Sequence, residues 1–473
     1  MTVTPEALAG YDAAAFYDEA MEADGSPRPA SSAALAAVAD HDLSELCSRL
    51  AVAVEREGAS FNSVDGDTAF GLDPVPRVLS GAEWSELEAG LIQRVRALDA
   101  FVADVYADQR IVQAGVIPLA AIQGADYFEP SLRGLRPPGG VWVGLSGLDL
   151  VRDATGHFLV LEDNLRTPSG LAYAAAARRM LGPLLGEVQP APRPLEGLVS
   201  MLAAVLEAAA PPDADADADG GPSVVVLTDG RDNSAHWEHR WLAAQLEVPL
   251  LEPRELEVRG GRLWMRRRGE HDLRRIDVVY RRTNGDRADD SIGRLLVEPW
   301  KRGTIGLINA FGTGVGDDKL IHAYVEDMVR FYCGEEPRLA SVPTYDLSRP
   351  EVLAEQLPRL SELVVKPRTG HGGVGIVVCP HAHPDAIAAV HAEVSARPET
   401  FVAQELVELS RHPTAIDGRL EPRHVDLRPF VFHAGEDAIR VLPGGLTRVA
   451  LDAGSLVVNS SQNGGAKDTW ILP

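Results

Sequence analysis

The stretch Leu363–Pro380, L-V-V-K-P-R-T-G-H-G-G-V-G-I-V-V-C-P, decides how the chain is read. Leu363-Val364-Val365 and Ile376-Val377-Val378 are apolar runs of buried-strand type, so the pattern predicts strand, loop, strand. Between them lie Lys366, Gly370, His371, Gly372, Gly373 and Gly375. Glycine permits a positive φ and lets backbone N–H groups come close to a polyanion. Lys366, at the end of the first strand, adds a compact positive charge within reach of a phosphate. Such a loop is suited to cover the phosphates of a nucleotide. It is not a Walker loop, because no G-K-S/T opens a helix after it. Taken alone, an ordinary glycine-rich hairpin fits as well, and the rest of the chain decides between the two.

Further upstream, Val141–Leu145, Gly147–Val151 and Phe158–Leu161 read as strands. Asp149 sits on one strand. Glu162 and Asn164, two residues apart at the end of the next, share a face. Two carboxylates and an amide oxygen suit a hard cation that carries phosphates; a polar strand end is the bland alternative. A second glycine-rich segment, Ile305–Lys319, places Lys319 at the start of a helix expected to continue through Tyr324, Val325, Met328 and Phe331. A lysine there opposes the helix dipole and calls for an anion: Asp317, Asp318 or a phosphate. Phe401–Leu406 predicts a strand whose edge, at Gln404-Glu405, suits an adenine ring. Ile276–Arg282 ends in two arginines that fit either an anionic ligand or a surface ion pair.

Length and composition bound these readings. A chain of 473 residues implies two or three lobes of roughly 100–200 residues each. A net charge of −24 argues against nucleic acid as the main partner, which needs a basic surface. Cys47, Cys333 and Cys379 are far apart and form no zinc or C-x-x-C spacing, as expected of structural thiols in a reducing compartment. No signal-type apolar region opens the sequence and no apolar run is long enough for a membrane span, so a cytoplasmic location is the expectation. Helix is expected on both sides of a Gly-Ser-Pro-Arg-Pro break at 25–29. Ser80 and Glu83 form a capping box before a helix with a stripe of Leu87, Leu91, Val95, Leu98, Phe101, Val102 and Val105. Residues 171–209 read as helical and 211–221 as a flexible loop. Ser223–Thr228 (strand), Ala235–Leu246 (helix) and Pro249–Leu251 (strand) form a small α/β unit.

The ordered set resembles the circularly permuted type 2 ATP-grasp family, related to glutathionylspermidine synthase. The stretches that carry the resemblance are L-E-D-N-L-R-T-P-S-G (161–170), G-T-G-V-G-D-D-K (312–319), H-V-D-L-R-P-F-V (424–431), P-G-G-L-T-R-V-A-L (443–451) and N-S-S-Q-N-G-G-A-K-D-T-W (459–470). The metal hairpin stands ahead of the nucleotide elements, as in a permuted chain. The resemblance implies an α/β (α+β) fold with a nucleotide cleft between two lobes and an added α/β insertion. It divides the chain into a mainly helical 1–140 on the substrate side, the permuted metal part 141–190, the insertion 191–300 and the nucleotide lobes 301–473.

The same resemblance implies the chemistry: ATP and Mg²⁺ as cofactors, and a carboxylate and an amine joined through an acylphosphate. Lys319, Lys366 and the flap (Gly370, His371, Gly372, Gly373, Gly375) would take the phosphates, Gln404 and Glu405 the adenine. Asp149, Glu162 and Asn164 would hold the metal, and Arg448, Arg428 and Arg166 the transferred phosphoryl and carboxylate. The flap departs from the more usual D-G-S-G-G pattern, with Arg368 and His371 in it. The substrates expected are small-molecule or peptide acids and amines, with regions 1–140 and 190–300 building their pocket. A protein partner or homo-oligomer is left open. Two other activities fit the same residues: an ATP-binding scaffold with little turnover, and a kinase that stops at a phosphorylated product.

Overall fold

The computed structural model describes residues 11–14, 16–63, 66–214, 221–266, 273–285, 287–370, 374–436, 438–452, 454–455 and 464–473. His371, Gly372, Gly373 and the Asn459–Asn463 part of the last motif lie outside them.

The largest sheet has seven strands. Six run in the order Leu72–Leu79, Gly465–Ile471, Leu446–Val449, Arg419–Arg428, Asp149–Arg152 and Phe158–Glu162, and Arg411–Ile416 pairs with the first half of Arg419–Arg428. The two ends of the chain therefore meet in one sheet, where Leu72–Leu79 and Gly465–Ile471 run parallel. The region 1–140 is thus not simply helical: it supplies a strand of the central sheet and the hairpin Ser60–Ser63/Gly66–Ala69. Leu72–Leu79 reads L-D-P-V-P-R-V-L. Its two prolines argue against a strand, yet the strand lies at the sheet's edge, where a missing N–H is tolerated. Among the described residues before 25 there is no helix; Asp18 and Met21 instead make isolated bridges, and Ser32–Ala39 and Leu43–Glu57 follow the break.

The helix Gly81–Val105 begins with the expected Ser80–Glu83 capping box. Its 25 residues span about 37 Å, long enough to serve two cores. Trp84, Leu87, Leu91 and Val95 pack on the seven-stranded sheet with Leu150, Leu427 and Ile471. Leu98, Phe101, Val102 and Val105 pack instead with Val225, Val279 and Leu307 of a four-stranded parallel sheet. That sheet runs Gly306–Ile308, Val278–Arg282, Val224–Thr228, Leu250–Leu251. It contains the small α/β unit expected at 223–251, with Val224–Thr228 and Leu250–Leu251 as neighbouring strands, and one of its strands comes from beyond residue 300. The helical stretch 171–209 is two helices, Leu171–Leu185 and Gly197–Ala208, separated by a segment with Gly186, Pro190, Pro192 and Pro194.

A third unit is the antiparallel sheet Thr344–Asp346, Phe401–Glu405, Leu363–Pro367, Val377–Val378. It has its own core of Leu347, Leu363, Val365, Val390, Val394, Phe401 and Ala403, roofed by Pro350–Gln356 and Pro384–Ala396. The strand–loop–strand reading of the flap holds, with Val364 opposite Val378 and Val365 opposite Val377. Phe401–Glu405 is a central strand, paired on both sides, and not the edge expected from its sequence. No helix among the described residues is long and apolar enough to cross a membrane.

Candidate nucleotide site

Between the antiparallel unit and the seven-stranded sheet lies a cleft of about 630 Å³. Strand periodicity decides what faces it. On Leu363–Pro367, Leu363 and Val365 enter the core while Val364 and Lys366 line the cleft. On the seven-stranded sheet, Leu150, Val425 and Leu427 are fully buried and their neighbours Asp149, Asp426 and Arg428 line the cleft, as do Leu446 and Arg448 on the next strand. Asp426 stands directly opposite Arg448, and Leu427 opposite Leu150. A register shift after Asp149 sets it opposite Glu162, at the hairpin's end.

Four charges thereby meet on one sheet face. Arg428 donates from Nε and Nη2 to Asp149 at 2.6 and 2.8 Å. Arg448 Nη2 reaches Asp149 at 2.8 Å, and its Nε donates to both oxygens of Asp426 at 2.9 and 3.0 Å. Burial alone would raise the Asp149 carboxyl, but the two guanidinium groups outweigh it and hold it at about 2.

Glu162 and Asn164 line the cleft, while Asp163 between them points into the core, as the pleat requires. Asp163 accepts from Arg94 Nε and Nη2 at 2.7 and 2.8 Å and contacts His322 Nδ1 at 2.7 Å. Lys319 donates to the Gly370 carbonyl at 2.7 Å and lies 3.3 Å from Glu162. The anion called for at Lys319 is thus Glu162. Asp317 pairs with Arg166 at 3.0 Å, and Asp318 pairs with Arg368 at 2.8 Å while capping the helix that Lys319 opens. That helix is one short turn, Lys319–His322. A second, Val325–Met328, and the π-turn Val329–Cys333 replace the continuous helix expected there.

Of the flap residues described, Gly370 lines the cleft and Gly375 does not. Both have positive φ, +112° and +76°, and a Cβ on Gly375 would come within 2.8 Å of Pro367. Arg368 is a buried anchor at the flap's base, bonded to Asp318 and to the Ala121 carbonyl. Gln404 and Glu405 line the cleft, but their side chains are engaged: Gln404 with Thr344 at 2.9 Å, Glu405 with Tyr345 at 2.6 Å and Arg359 at 2.9 Å. The chain just past the strand, Leu406 and Val407, also lines the cleft and has left the sheet. Arg281 and Arg282 are buried structural residues, Arg282 paired with Glu238 at 2.8 Å.

Lys366 has no ion-pair partner among the described residues. Burial first, and then the charge of Lys319, bring its ammonium down to about 8, against the opposing pull of Glu162 and Asp149. An anion bound here favours the charged form. Affinity for a nucleotide polyphosphate should therefore be full below pH 8 and fall as pH rises through it, towards the higher pKa of the bound state. Calorimetric titration with MgATP between pH 7 and 9.5 reads that slope. Lys366→Arg, which stays charged throughout, should flatten it.

A hard cation finds only part of its expected cage. No three His, Cys, Asp or Glu side chains among the described residues converge as a metal site. Glu162 is partly exposed on the cleft, and Asn164 Nδ2 is buried without a partner. A half-turn of that amide puts an oxygen in the orphaned position. Asp149 has three of the roughly four lone-pair sites of a carboxylate taken by arginine. Glu162 and Asn164 thus fit a hard cation best, with Asp149 beside them.

Sequence reading did not find the cleft's other end. Phe61, Asp126, Tyr127, Ser234 and Ala235 line it, together with Arg166, whose guanidinium lies 3.8 Å from the Tyr127 ring centroid. Arg166 was expected from its motif, but Phe61, Asp126, Tyr127, Ser234 and Ala235 come from the regions 1–140 and 190–300 expected to build a substrate pocket, and no motif marks them.

The family described as circularly permuted ATP-grasp type 2 matches residues 76–450. "Uncharacterized protein sll0335" of Synechocystis sp. is 42% identical over 98% of both chains. "Putative glutamate–cysteine ligase 2-2" of Frankia casuarinae is 41% identical over 96% of this chain, which spans 53% of that relative. Among solved structures, a glutathione synthetase like-effector (GSS30) from Globodera pallida in apoform superposes with a TM-score of 0.56. It is 11% identical, over 91% of this chain and 98% of that one, a likeness of fold alone. On the length of the family match and the relatives' identity, the chain belongs to the circularly permuted ATP-grasp type 2 family.

Proposed function

We propose that the protein is an ATP-dependent carboxylate–amine ligase working through an acylphosphate. The observation that carries this reading is the convergence in one cleft of Lys319, Lys366, Arg448 and Arg428 with Glu162 and Asn164. Lys319 and Lys366 would hold the α- and β-phosphates, with Gly370 of the flap facing the β- and γ-phosphates. Leu406 and Val407 would meet the adenine with backbone groups freed from the sheet. Glu162 and Asn164, with Asp149 beside them, would hold Mg²⁺. When bound, the ion neutralises phosphate oxygens and fixes their positions.

An acid held near Arg166 and Tyr127 would attack the γ-phosphorus with a carboxylate oxygen. The Pβ–O–Pγ bond breaks, its electron pair leaves with ADP, and Arg448 stabilises the charge in transit. The amine nitrogen then attacks the acyl carbon, phosphate departs, and the amine's proton passes to solvent.

The test is ADP release by the full-length protein, offered ATP, Mg²⁺ and paired panels of acids and amines. Glutamate with cysteine comes first, because a relative of which this chain spans about half is named as a glutamate–cysteine ligase. ADP and an amide, formed only when both partners are present, support the ligase. A phosphorylated acid accumulating without any amine dependence points to a kinase, and ATP binding without ADP release from any pair points to a scaffold; either contradicts the proposal.

A further inference from the structure

We infer that Asp426 is the positioning residue for the phosphoryl-contacting arginine, and that Arg448 and Arg428 have separate tasks. The inference rests on reading the cleft as a phosphoryl-transfer site. Both arginines line the cleft, and chemistry alone does not choose between them. Their bonds do. Arg428 has a protein partner at every guanidinium nitrogen: Nε and Nη2 go to Asp149, and Nη1 donates to the Ser169 carbonyl at 3.1 Å. It ties the strand Arg419–Arg428 to Asp149–Arg152 and to the loop before the helix Leu171–Leu185.

Arg448 is held by one edge only. Its Nε bonds Asp426, and its Nη2 bonds both Asp426 and Asp149. Nη1 has no protein partner among the described residues, so both its N–H groups are left for the cleft. A guanidinium held this way is preorganised: it need not be recruited or reoriented when negative charge develops on a transferring phosphoryl group. Asp426 can hold this edge because the ladder sets it directly opposite Arg448. It is itself buried, at 2% exposure, and both its oxygens are engaged by Arg448, so its part is to hold that guanidinium.

The pair of aspartates also cancels the charge of the pair of arginines. Ground-state attraction for a polyphosphate therefore falls mainly to Lys319 and Lys366, and Arg448 contributes where charge is directed at its free nitrogen. Disturbing Asp426 should leave the affinity for MgADP nearly unchanged and remove the extra affinity for a phosphoryl-transfer mimic. A general loss of structure would lower both.

The experiment is calorimetry of the full-length protein with MgADP, in the absence and presence of fluoroaluminate. Wild type should bind tighter by about tenfold to a hundredfold with fluoroaluminate, the range of one or two charge-assisted hydrogen bonds. In Asp426→Asn that gain should shrink to under about threefold while MgADP affinity stays within about twofold. Arg448→Lys, which keeps the charge and leaves Asp426 in place, should lose the gain equally and serves if Asp426→Asn fails to fold. Arg428→Lys should keep the gain. A full gain in Asp426→Asn or Arg448→Lys, or its loss in Arg428→Lys alone, overturns the inference while leaving the nucleotide site standing. A wild type that does not bind MgADP overturns the nucleotide reading and the inference with it.

Discussion

Asp163→Ala should be the most destabilising single substitution near the cleft, by about 3–5 kcal/mol, because it strands a buried arginine. Asp163 has a side chain with no exposure, and that of Arg94 is 2% exposed. The pair joins four parts of the fold. Arg94 is on the long helix Gly81–Val105, Asp163 follows the hairpin, His322 ends the turn opened by Lys319, and Ser341 accepts from Arg94 Nη1 at 2.9 Å. Burial alone would raise the Asp163 carboxyl, but Arg94 and His322 prevail and hold it well below the usual carboxylate range. A depressed pKa of this kind adds stability that is present above the unfolded value near 4 and is lost as pH falls through the folded one. Denaturant unfolding of wild type and variant measures the difference. Glu298→Ala, which breaks a pair with both partners more than half exposed, is the control and should cost under about 1 kcal/mol. Equal midpoints for Asp163→Ala and wild type would refute the argument.

Of the two cleft lysines, Lys366 should have the larger effect on ligand affinity, its change to alanine weakening MgATP by about tenfold to a hundredfold. The two cleft lysines differ in what they already hold. Lys319 is occupied by Glu162 and the Gly370 carbonyl, so an incoming phosphate must replace bonds that exist. Lys366 has no partner among the described residues to give up, and binding relieves the cost of keeping its charge desolvated. Removal of Lys366 should therefore cost more affinity than Lys319→Ala. Paired titrations of the two variants check this order, and a larger loss from Lys319→Ala would contradict it.

Local pattern and motif carried much of the layout. The capping box at Ser80, the strand–loop–strand at Leu363–Pro380 and the shared face of Glu162 and Asn164 depend on neighbours a few residues apart, and each is where the pattern puts it. The charge lattice was not legible in the same way. Arg428 and Asp149 are 279 residues apart, and only the register of three strands brings them together with Arg448 and Asp426. Asp149, read as a metal ligand from its motif, is bonded in the structure to Arg428 and Arg448. The strand Leu72–Leu79 was hidden by prolines that only an edge position excuses. The continuous helix after Lys319 was an over-extension of apolar spacing. There the chain turns at Ala323-Tyr324, and the Tyr324 hydroxyl bonds Asp346 at 2.5 Å. The aromatic and acidic end of the cleft, at Phe61, Asp126 and Tyr127, carries no motif because its chemistry depends on where the fold brings those residues.

The ligase proposed above stands on binding of a magnesium nucleotide in this cleft through Glu162. That binding is tested most directly by calorimetric titration of the full-length protein and of Glu162→Gln with ATP, each with Mg²⁺ and with the metal removed by chelator. Wild type should bind ATP far more tightly with Mg²⁺ than without, and Glu162→Gln should bind it weakly and about equally in both. ATP binding by wild type that ignores Mg²⁺, or no binding at millimolar nucleotide, would contradict it.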